Sequence, residues 1–266
     1  MIDALRQQFS SSMTAEEKTN RLTEFLQIAI LKILSDGGYF KHLAFVGGTA
    51  LRILYDLRRF SEDLDFSLTS RRGYAFKALP GHLERNLRLF GLQVELKPKE
   101  EKVVQSVFVK FPGLLNDLGI AGSPGQKLSI RVEVDTNPPR GAVTETSLVY
   151  KTYLFDVVRY DLPSLYATKL HACFFRKYTK GRDYYDLVWY LGKRVEPNFK
   201  LLNNAIKQTE QKNLNIDRAT LPQFIVERLK RVDFSAVRRD VERFLEDKAE
   251  LRMLDFERLK QLIEGR

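Results

Sequence analysis

Two kinds of hydrophobic pattern follow one another along the chain. A short apolar run at residues 43–46 and alternating runs at residues 64–68 and 128–136 predict strands. From residue 162 onward, apolar positions recur at helical spacing in successive segments. We therefore predict an α+β fold, with a mixed sheet flanked by helices over residues 1–160 and an all-helical part over residues 161–266.

Local sequence signals predict the individual helices and strands. Thr14 and Glu17 have the spacing of a capping box, and the apolar stripe that follows them ends at the Gly37–Gly38 pair. Further helices are predicted at residues 50–57 and 74–90, and further strands at residues 92–96, 103–111 and, as one or two strands, 146–158. The C-terminal helices are predicted at residues 165–175, 184–191, 199–206, 221–229, 237–245 and 256–263.

Composition and charge narrow the class of protein. The 266 residues include 44 Lys and Arg against 34 Asp and Glu, a net charge of +10 that favours a polyanionic partner such as nucleic acid or a nucleotide. No apolar stretch approaches the roughly 18 residues of a membrane span. Cys173 is the single cysteine, which excludes an intrachain disulfide framework. We expect a cytoplasmic protein that makes no use of a membrane.

A glycine pair stands at the first junction of a strand with a helix. Gly47 and Gly48 would let the backbone approach a phosphate closely, and exposed amides at a helix start attract anions. Thr49 could cap that helix and add a hydroxyl donor. The alternative is a simple turn, since paired glycines are common in turns.

Acidic residues alternate on two of the predicted strands. Asp63 and Asp65 are two residues apart, so both side chains leave the same strand face, and Glu133 and Asp135 do the same on a strand that could pair beside residues 64–68. Neighbouring carboxylates repel each other unless a cation lies between them, and oxygen ligands select Mg²⁺ or Mn²⁺. The alternative is a solvated sheet face.

The two features together indicate a reaction. A phosphoryl or nucleotidyl transfer site needs backbone amides for phosphate, carboxylates for paired metal ions and cationic side chains nearby. The sequence supplies all three, with Arg58 and Arg59 as the nearby cations.

The sequence also resembles a known family. Residues 47–49 followed by residues 61–66 resemble the first motif of the AbiEii/AbiGii-type toxins, which belong to the nucleotidyltransferase superfamily that includes DNA polymerase beta. Residues 165–170 resemble the family's lysine-bearing helix, and residues 181–187 resemble its Arg-Asp-x-x-Asp-Leu motif. The resemblance covers about residues 43–190 and implies a nucleotidyltransferase fold.

The resemblance also implies roles for individual residues. It implies that Asp63 and Asp65 bind metal and are catalytic together with Lys169 and Asp183, with Lys169 also contacting the nucleotide phosphates. The family places a third acidic residue on the middle strand, which is Glu133 or Asp135 here, and we favour Glu133. The implied nucleotide-binding residues are Gly47, Gly48, Thr49, Arg59, Ser61 and Lys169. In related toxins a serine at the position of Ser61 can be modified by a partner.

The later motifs also have a physical interpretation. Lys169 and Arg176 share a helix face, and a buried pair with Asp183 would keep the lysine charged and directed at a triphosphate. The alternative is a surface lysine. Asp186 could share the role of Asp183 or pair with Arg182 one turn earlier. An aromatic cluster could stack bases, but its spacing is more typical of helix core. Its members are Phe174, Phe175, Tyr178, Tyr184, Tyr185, Trp189 and Tyr190.

The sequence therefore predicts a Mg²⁺-dependent nucleotidyltransferase that moves a nucleoside monophosphate from an NTP to an acceptor. The resemblance implies a toxin that is paired with an antitoxin protein, with tRNA as the acceptor. The alternatives are an enzyme of the same chemistry that modifies a protein or a small molecule, a non-catalytic module that binds NTP, and a regulator that only binds nucleic acid.

Overall fold

The computed structural model describes residue 6 and residues 9–120 and 125–265. Within these residues no helix is both long enough and apolar enough to cross a membrane. The chain divides into two compact units. The first comprises the described residues up to Leu54 together with Phe60–Pro138 and Thr146–Arg159, and the second comprises Tyr55–Arg59, Pro139–Glu145 and the described residues from Tyr160 onward.

A mixed sheet of seven strands organises the first unit. Its strands are β1 Leu43–Val46, β2 Leu64–Leu68, β3 Glu95–Glu100, β4 Val104–Phe111, β5 Leu128–Asp135, β6 Thr144–Tyr150 and β7 Leu154–Tyr160. Their order in the sheet is β3-β4-β5-β2-β1-β7-β6. β2 runs parallel to β5 and antiparallel to β1, and β1 runs parallel to β7. The predicted pairing of the two acid-bearing strands is confirmed.

The helices of the first unit are α1 Ala15–Asp36, α2 Gly47–Tyr55, α3 Ala78–Leu89 and the short α4 Leu114–Asp117. The predicted capping box at the start of α1 is present, because the Thr14 hydroxyl accepts from the Glu17 amide and the Glu17 carboxylate accepts from the Thr14 amide. Its apolar stripe is buried, with Leu22, Leu26 and Ile30 fully inaccessible. Burying such stripes against the sheet removes apolar area from water and stabilises the unit.

The second unit is built from helices. They are α5 Leu162–Phe175, α6 Gly181–Lys193, α7 Phe199–Glu210, α8 Leu221–Leu229, α9 Phe234–Val241 and α10 Phe256–Glu264. α5 packs against α6 and α7, and α6 packs against α9 and α10. Asp161 caps α5 by accepting from the Ser164 amide. The predicted α+β class, with a mixed sheet followed by helices, is confirmed.

Several helices begin three or four residues away from the predicted positions, and the start of α2 changes the role predicted for Thr49. α2 begins at Gly47, three residues earlier than the predicted segment, so Thr49 lies inside the helix and does not cap it. The strand turns directly into the helix because Gly47 adopts a φ of +78°, a backbone conformation that side-chain-bearing residues rarely adopt.

Candidate active site

Two acidic residues face each other on neighbouring strands of the first unit, and a third lies just before one of those strands. Asp65 on β2 is in register with Glu133 on the parallel strand β5, and Asp63 precedes Asp65 by two residues. The alternating residues Leu64, Phe66 and Val132 point to the opposite face and are buried. The hydrophobic alternation of both strands therefore directs the acids away from the core.

Asp135 lies on the same face of β5 but farther along it. It is in register with Ser67, and its carboxylate accepts a hydrogen bond from the Asn137 amide at 2.8 Å. Burial raises the pKa of Asp135 above its usual range and outweighs that hydrogen bond. Of the two candidates for a third carboxylate, Glu133 is the one in register with Asp65.

An arginine bridges two of these acids. Arg131 Nη2 lies 3.3 Å from Asp63 Oδ2, and Arg131 Nη1 lies 2.7 Å from Glu133 Oε2. Burial alone would lower the pKa of Arg131, but the charges of Asp63 and Glu133 outweigh it and raise the pKa. The guanidinium thus neutralises part of the repulsion between the acids.

Gly47 packs directly against Asp65. A Cβ atom added at residue 47 would clash with the Asp65 carboxylate and would lie 3.0 Å from the Asp65 Cβ. Glycine is required here for two reasons, its positive φ and this close approach. The glycine corner that the sequence predicted and the acidic strand are therefore neighbours in space.

The next residues of the motif have partners of their own. The Thr49 hydroxyl donates to the Asp63 carbonyl, and the Thr49 side chain is fully buried. The Ser61 carbonyl accepts from Gln27 Nε2 at 2.9 Å. Thr49 consequently ties α2 to the segment that carries the acids, and Gln27 of α1 holds the segment just before it.

The acidic face has the donor chemistry of a divalent cation site. Carboxylate oxygens are the ligands that Mg²⁺ and Mn²⁺ prefer. Asp65 and Glu133 are in register on one sheet face, and Arg131 contacts both Glu133 and Asp63. With Arg131 between two of the acids, no cluster of three metal-ligating side chains is preassembled in the described parts of the chain. The residue types fit the cation, and the arginine is the group with which a cation would compete.

The helical unit holds a separate buried ion network. Lys169 Nζ lies 2.7 Å from Asp183 Oδ1 and 2.8 Å from Asp186 Oδ2. Lys169 comes from α5, and both acids come from successive turns of α6. The buried Lys169–Asp183 pair suggested by the sequence is present, and Asp186 contributes to it as well.

Two arginines complete the network. Arg59 binds Asp186 with both ends of its guanidinium, Nε to Oδ1 at 2.6 Å and Nη2 to Oδ2 at 2.7 Å. Their side chains are only 2% and 0% exposed. Arg176 Nη1 lies 2.7 Å from Asp183 Oδ2. Arg59 is therefore enclosed in the helical unit, where it holds Asp186.

Mutual charge compensation sets the ionisation of this network. Burial alone would lower the pKa of Lys169, but Asp183 and Asp186 outweigh it and raise that pKa above its usual range. Burial would raise the pKa of Asp183, but Lys169 and Arg176 outweigh it and lower that pKa. The charged forms of both groups are therefore favoured at neutral pH.

Sequence reasoning missed the contacts of Arg131 and of Arg59. The alternation that put Glu133 on the acidic face also puts Arg131 there, but which acids it meets depends on the register of β5 with β2. Nothing in the sequence near Arg59 points to Asp186, because 127 residues separate them.

Comparisons with solved structures identify the fold. The chain resembles a crystal structure of JHP933 from Helicobacter pylori with a TM-score of 0.55 and 20% identity, covering 92% of this chain and 90% of that one. It also resembles a crystal structure of a proposed nucleotidyltransferase from H. pylori, with a TM-score of 0.51 and 20% identity, covering 91% and 92% of the two chains. At this identity the likeness establishes a shared fold.

The family follows from the sequence itself. Residues 29–262 match the family described as nucleotidyl transferase AbiEii toxin of type IV toxin–antitoxin systems, and the chain belongs to that family. No curated protein gives a significant match. The protein is thus a nucleotidyltransferase toxin of a type IV toxin–antitoxin system, a class that implies an NTP substrate and an antitoxin partner.

Proposed function

We propose that this toxin is a Mg²⁺-dependent enzyme that transfers a nucleoside monophosphate from an NTP to an RNA acceptor such as tRNA. The observation that carries the proposal is the in-register pair Asp65 and Glu133, with Asp63 just before β2 and Gly47 against Asp65. In the reaction an acceptor hydroxyl oxygen bonds to the α-phosphorus and releases its proton to water, the bond from the α-phosphorus to the bridging oxygen breaks, and pyrophosphate leaves.

The acidic face would supply the metal ligands. Asp63, Asp65 and Glu133 would hold Mg²⁺ or Mn²⁺, with Asp135 as a possible additional ligand farther along β5. Bound divalent cations would supply activation of the acceptor hydroxyl and neutralisation of the departing pyrophosphate. The chain itself holds the carboxylates at a fixed spacing. Residue 47 must be glycine, because any side chain there would clash with the Asp65 carboxylate.

Each unit holds a group with the chemistry to bind phosphate. The backbone of Gly47 and Gly48 opens α2, and amides at a helix start attract phosphate. Lys169 is the cation that the family resemblance assigns to the nucleotide, and Asp183 and Asp186 keep it charged. Because Thr49 and Arg59 are buried and bonded to Asp63 and Asp186, we assign them the role of positioning those acids.

The RNA acceptor is supported by charge. The net charge of +10 favours a polyanion, since each neutralised phosphate releases counterions. A deep neutral acceptor pocket would instead favour a small molecule. One cavity of the first unit, of about 540 Å³, has the charged side chains of Arg71, Glu100 and Lys102 in its lining and is therefore not of that neutral kind.

A labelling experiment tests the proposal. The protein is incubated with Mg²⁺, each α-labelled NTP in turn and either bulk tRNA, a protein extract or no acceptor. We expect label in RNA, and we expect Asp63→Asn and Asp65→Asn to lower the rate by about 100- to 1,000-fold, as loss of a principal charge-stabilising group does. Asp36→Asn, an exposed acid on α1, is the matched control and should retain the wild-type rate.

Other results of the labelling experiment would favour the alternative functions. Label in protein but not in RNA would replace the acceptor in our proposal with a protein. NTP binding without transfer to any acceptor would indicate a non-catalytic module. Growth arrest on induction should be lifted by Asp63→Asn, whereas a regulator that only binds nucleic acid would still arrest growth. Thermal unfolding of each variant shows whether the loss comes from chemistry or from misfolding.

A further inference from the structure

The loop between α5 and α6 carries an unusual concentration of positive charge. Residues 176–180 form the loop, and together with the first two residues of α6 they read Arg-Lys-Tyr-Thr-Lys-Gly-Arg, four cations and no acid in seven residues. The loop joins the helix of Lys169 to the helix of Asp183. It therefore presents a compact polycationic segment beside the ion network of the same unit.

An exposed tyrosine lies among these cations. The Tyr178 side chain is 61% exposed, whereas Phe174, Tyr184, Tyr185 and Tyr190 of the same aromatic cluster are buried. The prediction that the cluster forms helix core is thus confirmed for those four and wrong for Tyr178. The Arg176 guanidinium lies 5.4 Å from the Tyr178 ring centroid, and Lys180 Nζ lies 5.9 Å from it.

The loop is anchored at both of its ends. Arg176 is bound to Asp183 at 2.7 Å, and the Gly181 amide donates to Asp240 Oδ2 at 2.7 Å. Gly181 also packs so closely on α9 that an added Cβ would clash with the Val237 carbonyl. An anchored loop limits the conformational entropy that would be lost on binding a partner.

We propose that this loop is a binding surface for single-stranded RNA, in which Tyr178 stacks on an unpaired base while Lys177 and Lys180 neutralise flanking phosphates. An exposed ring among cations is the combination that binds single strands, because every base offers a face for stacking and every linkage offers a charge. An acidic peptide would use the cations alone and leave the ring without a role. The inference rests on the proposed function, since it specifies how an RNA acceptor would be held.

Binding is measured without NTP or metal, so that it does not depend on catalysis. Fluorescence anisotropy with a labelled 12-nucleotide RNA is recorded at several salt concentrations, alongside the same sequence as a duplex, the corresponding single-stranded DNA and a labelled polyglutamate. We expect the single strands to bind more tightly than the duplex. The DNA arm shows whether the 2′-hydroxyl contributes.

The variants separate stacking from charge. Tyr178→Ala should weaken RNA binding about 5- to 100-fold, the range for loss of one base–aromatic stack, with no change in salt dependence. Tyr178→Phe should restore binding. The double variant Lys177→Ala/Lys180→Ala should reduce the slope of log affinity against log salt by about 1.4, or about 0.7 for each phosphate contact.

Matched controls lie elsewhere on the chain. Tyr150 is 81% exposed on β6, so Tyr150→Ala removes an equally accessible ring. Lys207→Ala/Lys212→Ala removes two exposed charges near the end of α7. Both controls should bind RNA within about two-fold of wild type. Thermal unfolding should be unchanged for variants at the exposed side chains and at most slightly lowered for the Lys177→Ala/Lys180→Ala double variant, because Lys180 is partly buried.

The binding and labelling results together test the RNA-binding surface separately from the proposed function. The surface is disproved if Tyr178→Ala binds RNA like wild type, or if it weakens polyglutamate and RNA equally. RNA labelling with unaltered binding by the loop variants would disprove the surface and leave the proposed function intact. Loop-dependent RNA binding without RNA labelling would support the surface while removing RNA as the acceptor.

Discussion

The buried ion network makes a sharp prediction for Asp186→Asn. Asp186 is fully buried and is the counter-ion of both Arg59 and Lys169. An asparagine has nearly the same shape but no charge. The substitution would leave two buried cations facing Asp183, which already binds Lys169 and Arg176.

The magnitude follows from the burial of the partners. Removing one member of a buried ion pair costs about 3–5 kcal/mol, because the remaining charge is neither solvated nor compensated. A loss of 1 kcal/mol lowers the Tm of a protein of this size by about 2–4 °C, so we expect a decrease of about 6–20 °C. Asp36→Asn breaks an exposed pair with Lys32 and should cost less than about 0.5 kcal/mol.

Urea unfolding and calorimetry measure this effect. The double variant Arg59→Met/Asp186→Leu should be less destabilised than Asp186→Asn, because removing both partners leaves one buried cation fewer without compensation. A decrease in Tm below about 2 °C for Asp186→Asn would refute the reasoning, since the cations would then have another source of compensation. So would a double variant that is more destabilised than the single one.

The same network predicts how stability depends on pH. The pKa of Asp183 is lowered in the folded protein, so its contribution is fully present above the ordinary value of about 3.9 and is lost as pH falls through and below that value. The pKa of Lys169 is raised, so its contribution is fully present below about 10.4 and is lost only at more alkaline pH. Asp183→Asn should therefore flatten the acid side of the stability curve, which urea unfolding between about pH 2 and pH 5 would show.

Two further predictions concern the acidic face. Gly47→Ala should lower the free energy of unfolding in urea by about 1–3 kcal/mol, because residue 47 has a positive φ and an added Cβ would clash with Asp65. The control Gly81→Ala, in an open helical position, should stabilise the protein by about 0.5–1 kcal/mol. Equal effects of the two substitutions would show that residue 47 is not constrained. Arg131→Gln should raise Mn²⁺ affinity by about two- to ten-fold in a calorimetric or EPR titration, because the guanidinium that competes with the metal for two carboxylates is removed. Unchanged or weaker affinity would show that Arg131 does not compete.

Much of the fold could be predicted because its signals are local. The capping box of α1, the alternation of β2 and β5 and the helical spacing of the second unit each depend on neighbours in sequence. The same alternation placed Asp63 and Asp65 on one face. Helix ends were less accurate, and α2 starts early because Gly47 can turn at once from strand to helix.

The sequence by itself thus determined the elements, the family motifs and the residue types of the site. Only the tertiary structure decided that Glu133 is in register with Asp65, that Arg131 bridges two acids and that Arg59 binds Asp186. Those facts depend on strand register and on contacts between segments up to 127 residues apart. Local pattern carries no information about them, because the same alternation is compatible with more than one register, and a buried charge takes whichever counter-ion the packing brings to it.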